Sequence, residues 1–189
     1  MLKVHLCAVI YIFCLSNLLS QSLEFFQEEI EITAAKENCI VQGTYYFKNT
    51  NPEKIVKMIY YPFCLNDFLS YPDSIQVVDL IKNTNIAYRK HGKGVSFPIH
   101  LDGKSITILK VIYIQKTSAN QMEYILTTTR QWGKPLEKAD FTIKIPLSYQ
   151  LKYCTFDYNY RKKNNQYNIY RITKEQFYPD KNLKIRWKE

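Results

Sequence analysis

The sequence predicts an all-β protein: an antiparallel β-sandwich of about ten short strands, immunoglobulin-like or jelly-roll-like, with little helix. Three observations predict it. Apolar residues recur at alternate positions in segment after segment, the strand period. Turn-forming clusters such as Asn49-Thr50-Asn51-Pro52, Asp102-Gly103 and Asn164-Asn165 separate those segments. No stretch keeps a helical period over three turns; Glu175 to Tyr178 suits a single turn at most. A closed barrel is the alternative arrangement.

The first residues read as a targeting segment. Met1-Leu2-Lys3 carries one positive charge, Val4 to Leu19 is mostly apolar, and Ser20-Gln21-Ser22 supplies small residues at a cleavage site. This pattern predicts a signal peptide over residues 1–22, cut after Ser22. The apolar run is broken by His5, Ser16 and Asn17 and is short against the ~20 residues of a spanning helix, so cleavage is favoured over an uncleaved anchor. Cys14 follows Tyr-Ile-Phe, which is not a lipoprotein context. The protein is therefore expected to be exported, to the periplasm, the cell surface or beyond, with no membrane span after signal cleavage. Residues 23–189 are expected to form a single β-sandwich domain. Residues 147–189, richer in Tyr, Asn and Lys, are expected to form an appended hairpin region.

Taking the strands in order, Leu23 to Thr33 ends in Ile30-Glu31-Ile32 and reads as the first. Cys39 to Phe63 reads as a hairpin. Val41, Tyr45 and Phe47 alternate before the turn, and Val56, Met58 and Tyr60 after it. A register with Asn49 facing Lys54 puts Phe47 opposite Val56 and Tyr45 opposite Met58. The same register sets Cys39 opposite Cys64, and directly opposed strand residues suit a disulfide. Gly43 marks a bulge or a point of close approach. Ser74 to Lys82 is β-branched-rich, Ile86 to Lys90 is short, and Val95 to Leu101 alternates weakly. Ser105 to Gln115 is apolar on both faces, as a central strand is. Pairing Lys116 with Met122 makes a second hairpin with Met122 to Thr129. Ala139 to Pro146 turns Phe141, Ile143 and Ile145 inward. Thr155 to Thr173 forms a third hairpin about Asn164-Asn165, and Leu183, Ile185 and Trp187 alternate in a last strand.

Composition bounds the function. The chain carries a formal charge of +9. That favours polyanions, but the basic residues are scattered rather than clustered on one element, as on an ordinary solvated surface. Nucleic acid is not an expected partner. Beyond the leader only Cys39, Cys64 and Cys154 remain, enough for one internal bridge, the alternative being three reduced buried thiols. HExxH, CxxC, GxSxG, P-loop and GxGxxG motifs are absent, and His91, His100, Asp67 and Asp73 fall singly in loops or strands. The sequence thus implies no cofactor and no catalytic site. The candidate contact residues are Arg89, Lys90 and Lys93 at one basic tip, and Arg161 and Lys162 at another. Trp132 joins them, as do Tyr158 and Tyr160, whose rings suit stacking or an interface. The leading expectation is a non-enzymatic domain that binds a protein or a cell-surface component. Glycan or polyanion binding through the tyrosines and basic tips is one alternative. A secreted hydrolase with an unrecognised site is the other.

Four segments carry a resemblance: Val41-x-Gly-x-Tyr-x-Phe-x-Asn49, Ile59-Tyr-Tyr-Pro-Phe63, Val111-Ile-Tyr-Ile-Gln115, and Tyr124-Ile-Leu-Thr-Thr-Thr-x-x-Trp132-Gly-Lys-Pro-Leu136. Together they resemble uncharacterised secreted bacterial β-domains of unknown function. More loosely, over roughly Glu31 to Pro146, they are similar to the VIT domain of inter-alpha-trypsin inhibitor heavy chains, in which a strand ending Phe-x-Asn precedes one ending Phe-Pro or Tyr-Pro. That family's long insert and partner adhesion domain are absent from this chain. The resemblance implies a β fold and carries over no catalytic residue.

Overall fold

The computed structural model describes residues 23–189, so the leader predicted over residues 1–22 lies outside the described residues. The described residues form fourteen strands: β1 (Leu23–Ala34), β2 (Asn38–Asn49), β3 (Ile55–Pro62), β4 (Ser74–Asp79), β5 (Thr84–Asn85), β6 (Arg89–His91), β7 (Gly94–Leu101), β8 (Ile106–Lys116), β9 (Gln121–Tyr124), β10 (Leu136–Pro146), β11 (Gln150–Cys154), β12 (Tyr160–Lys163), β13 (Tyr167–Phe177) and β14 (Leu183–Lys188). A 3-10 turn at Thr127–Trp132 joins the later strands. The all-β sandwich expected from periodicity is what forms.

One layer is an eight-stranded sheet in the order β12-β13-β10-β1-β2-β8-β4-β5. The other layer is divided between two three-stranded sheets, β11-β14-β9 and β3-β7-β6. The ladders are antiparallel with one exception, the parallel pairing of β1 with β10, from Gln27 opposite Lys138 to Thr33 opposite Lys144. Strict alternation builds the core: Val41, Tyr45 and Phe47 of β2, Val111 and Tyr113 of β8, and Phe141, Ile143 and Ile145 of β10 all point inward. Across from them lie Val95, Phe97, Ile99 and Leu101 of β7 and Leu183, Ile185 and Trp187 of β14. The apolar outer row of β8 is half-buried, as befits a strand flanked on both sides by β2 and β4.

Two of the three expected hairpins do not form. β2 pairs with β1 and β8, whereas β3 pairs with β7, Ile55 opposite Leu101 through Pro62 opposite Gly94. Between Asn49 and Ile55 the chain crosses from one layer to the other. Asn49, fully buried, staples that crossing: its amide nitrogen donates to the Glu53 carbonyl at 2.7 Å and the Asp102 carbonyl at 2.9 Å. Alternation fixes which face of a strand is buried, but two strands facing each other through a core show the same pattern as two lying side by side. The register that set Cys39 opposite Cys64 is therefore absent. Cys39 stands opposite Ala34 and Gln115, and Cys39, Cys64 and Cys154 are free thiols. Likewise β8 does not pair with β9, which joins β14.

The third hairpin does form, with Tyr160 opposite Arg171 and Asn164 closing the turn by accepting the amides of Gln166 and Tyr167. Residues 147–189 contribute to both layers. β13 lies beside β10 in the large sheet, β14 builds the opposite layer, and both contribute to the core.

Candidate functional site

The division of the second layer opens a groove of about 700 Å3. All eight residues of β3 line one wall. The other wall is Tyr124 and Ile125 followed by the 3-10 turn through Trp132. Phe25, Glu28, Tyr45, Phe47 and Leu109 of the large sheet form the floor.

Each floor residue is there for a local reason. On β1, Ile30, Ile32 and Ala34 set the inward parity, which Glu28 shares. A register shift against β2 between Phe25 and Gln27 lets Phe25 face inward as well. Glu28 is consequently buried, directly opposite Tyr45, and its Oε1 has no hydrogen-bond partner. Burial pushes its carboxyl up to about 8, so it is mostly the neutral acid at pH 7.

Tyr45 folds back over Gly43. A Cβ at Gly43 would lie 2.0 Å from the Tyr45 hydroxyl, so the absent side chain is what admits the ring. Of the two roles predicted for Gly43, close approach is the one present, and the ladder passes it without a bulge. The Tyr45 hydroxyl then lies 2.7 Å from that of Tyr61 on β3 and 2.8 Å from that of Tyr124 on β9. One hydroxyl thus joins all three sheets. Burial raises all three phenols well above their ordinary value, and the nearby Glu28 raises them further. The cluster is a group of neutral donors and acceptors in an apolar groove, suited to hydrogen-bonding a ligand and poorly suited to nucleophilic attack.

Trp132 closes one end. Its ring sits 5.7 Å from Phe25 and 5.5 Å from Phe47, and Gly133, at φ 74°, ends the turn that presents it. Among the predicted contact residues, Trp132 alone lines the groove. Arg89, Lys90 and Lys93 lie at the β6–β7 tip, where Lys90 sits over the Tyr71 ring. Nearby, Tyr88 donates to the Ile75 carbonyl of β4. Tyr160, Arg161 and Lys162 are on β12, the outermost strand at the other margin of the large sheet, and Tyr158 precedes them to stack edge-on against Tyr170. The structure does not bring the two basic tips together. Arg161 lies over the buried Tyr170 on the inner face of the sheet, and Arg171 over the exposed Tyr160 on the outer face. His91 packs against Tyr60. Among the described residues no group of His, Cys, Asp and Glu is arranged to hold a metal ion, and no helix is long and apolar enough to cross a membrane. The outer face of the large sheet has a second, polar depression lined by Glu31 and by Lys138 and Asp140, which pair with each other at 2.6 Å.

Sequence reasoning missed Glu28 and the tyrosine cluster. The signal for Glu28 was present in Glu28-x-Ile30-x-Ile32-x-Ala34, where a carboxylate continues an inward apolar row. Nothing local announced that Tyr45, Tyr61 and Tyr124 meet.

Residues 112–186 match a domain of unknown function (DUF4424). The match takes in the Tyr124–Trp132 wall and stops short of β1 to β3. No curated protein matches the sequence. Among solved structures, the chain is similar to a candidate nutrient-binding protein from Legionella pneumophila, with a TM-score of 0.73 and 11% identity over 89% of this chain and 67% of that one. It is also similar to an M1 zinc metallopeptidase from Deinococcus radiodurans, with a TM-score of 0.51 and 13% identity over 88% of this chain. There it spans only 42% of the other chain. At these identities the likeness is one of fold. The chain is thus a β-rich domain similar to a family whose function is not established.

Proposed function

We propose that this chain is an exported, non-enzymatic domain that binds a ligand in the groove between the two halves of its second layer. One observation carries the reading: a buried carboxyl oxygen without a partner stands on the floor of a solvent-open groove. Leaving such an oxygen unpaired costs about 1–3 kcal/mol, a cost that a ligand donor would offset on binding. Phe25, Phe47 and Trp132 receive the apolar part of the ligand. Groove-lining aromatics with a few convergent polar groups are the usual form of a binding site. The nutrient-binding description of the Legionella protein is the same kind of role, and export rests on the leader-like residues 1–22.

The test is a ligand screen read by tryptophan fluorescence, followed by titration of each hit against Trp132→Ala and Glu28→Ala. Groove ligands lose about tenfold or more in affinity with either substitution. Hits indifferent to both would overturn the reading. Glycan or polyanion binding is a second reading, favoured by the exposed Tyr160–Arg171 pair of β12 and β13.

A further inference from the structure

Resting on the groove reading, we infer that the occupant is an extended polypeptide segment that adds as a strand to the free edge of β3. Its side chains are apolar at alternate positions, and one over Glu28 donates a hydrogen bond. The shape of the groove points there first. Every residue from Ile55 to Pro62 lines it, so it runs the whole length of the strand, about 26 Å at the usual rise. A compact metabolite would leave much of that length unfilled.

The edge itself is the second observation. β3 pairs with β7 on one side, and among the described residues no strand pairs with its other side. Alternate backbone N–H and C=O groups along that side are therefore open to an added chain. Lys57 shows that the position beside β3 is open. It shares the inward parity of Ile55, Ile59 and Tyr61 and stands opposite the fully buried Ile99, yet it is exposed. An inward-directed charge on an edge strand also discourages indiscriminate pairing, which favours a partner bearing an acidic or polar group at that point. Val56, Met58 and Tyr60, between 47% and 62% exposed, add an apolar rim on the outer face.

The far wall leaves β3 its free edge, because it is mostly a turn and offers no full-length strand to pair with it. β9 is itself an edge, and beyond it the chain leaves the ladder for the 3-10 turn. Tyr61 and Tyr124 both reach the Tyr45 hydroxyl on the floor, which ties the two half-layers together at that point.

The experiment starts from a displayed library of random ten-residue peptides, selected on the full chain and counter-selected on Trp132→Ala. A synthetic peptide from the selected pool is then added at saturation while amide hydrogen exchange is followed along β3. The expected result is a shift in tryptophan fluorescence that disappears in Trp132→Phe, together with exchange at β3 slowed by about tenfold or more. Fluorescence change with no slowing at β3 would overturn strand addition while leaving the groove as a binding site. Failure to recover any peptide above the Trp132→Ala background would overturn the peptide as occupant. Protection of β3 before peptide is added, lost when residues 1–22 are removed, would overturn it in favour of an internal occupant.

Discussion

Replacing Glu28 by Gln should change how stability depends on pH. In the folded protein the carboxyl titrates at about 8, against an ordinary value of 4.5. Below the ordinary value both folded and unfolded chains carry the proton, so burial exerts no electrostatic penalty. As pH rises the unfolded chain releases its proton while the fold retains it, and stability falls by ~1.4 kcal/mol per unit until the folded value is passed. The accumulated loss is about 1 kcal/mol at pH 5, about 3 at pH 7 and close to 5 above pH 9. The groups that face Glu28, namely Tyr45, Tyr61 and Tyr124, are all raised above their ordinary range and stay protonated over this window. Glutamine keeps the shape without titrating. Its fixed cost or gain moves the whole curve, so the diagnostic is slope. Guanidinium unfolding at five pH values between 5 and 9 should give a wild-type stability that declines relative to Glu28→Gln by about 2–3 kcal/mol from pH 5 to pH 7. Parallel curves would refute the argument that Glu28 is buried as a neutral acid.

Four further outcomes follow from the same structure. Gly43→Ala should destabilise by about 2–4 kcal/mol in thermal or denaturant unfolding, because the Tyr45 ring must leave its site, and a smaller residue at position 45 should recover part of that loss. Asn49→Ala should cost about 2–3 kcal/mol, leaving the Glu53 and Asp102 carbonyls unpaired at the layer crossing. In thiol alkylation followed by mass spectrometry, Cys39, buried and pushed up to about 12, should stay unmodified in the native protein and react after unfolding. Charge reversal at Arg89, Lys90 and Lys93, or at Arg161 and Lys162, should weaken retention on an anionic resin additively, since the tips lie apart; strongly cooperative loss would show them acting together.

The alternation of Phe141, Ile143 and Ile145, of Leu183, Ile185 and Trp187, and of Tyr45 and Phe47 was enough to reveal the fold class and most of the core. The Asn164 turn was equally legible, because its side chain makes the turn from adjacent residues alone. Strand partners were not. β1 lies between β2 and β10, and β3 faces β2 through the core, arrangements settled by contacts between distant segments rather than by local pattern. The same limit governs the site. Trp132 stood out as an aromatic in a Gly-Pro loop, but Tyr45, Tyr61 and Tyr124 come from three sheets and share only a meeting point.

The lone parallel ladder has a kinetic consequence. Strand β1 sits in the middle of the large sheet, and on one side its neighbour comes from the distal part of the polypeptide, with Gln27 against Lys138. A nascent chain can place β1 against β2 early, yet that edge stays raw until β10 has emerged and swung back across the growing structure. Maturation should accordingly be slow and all-or-none, and truncation after β9 should yield an aggregating fragment instead of a smaller stable body.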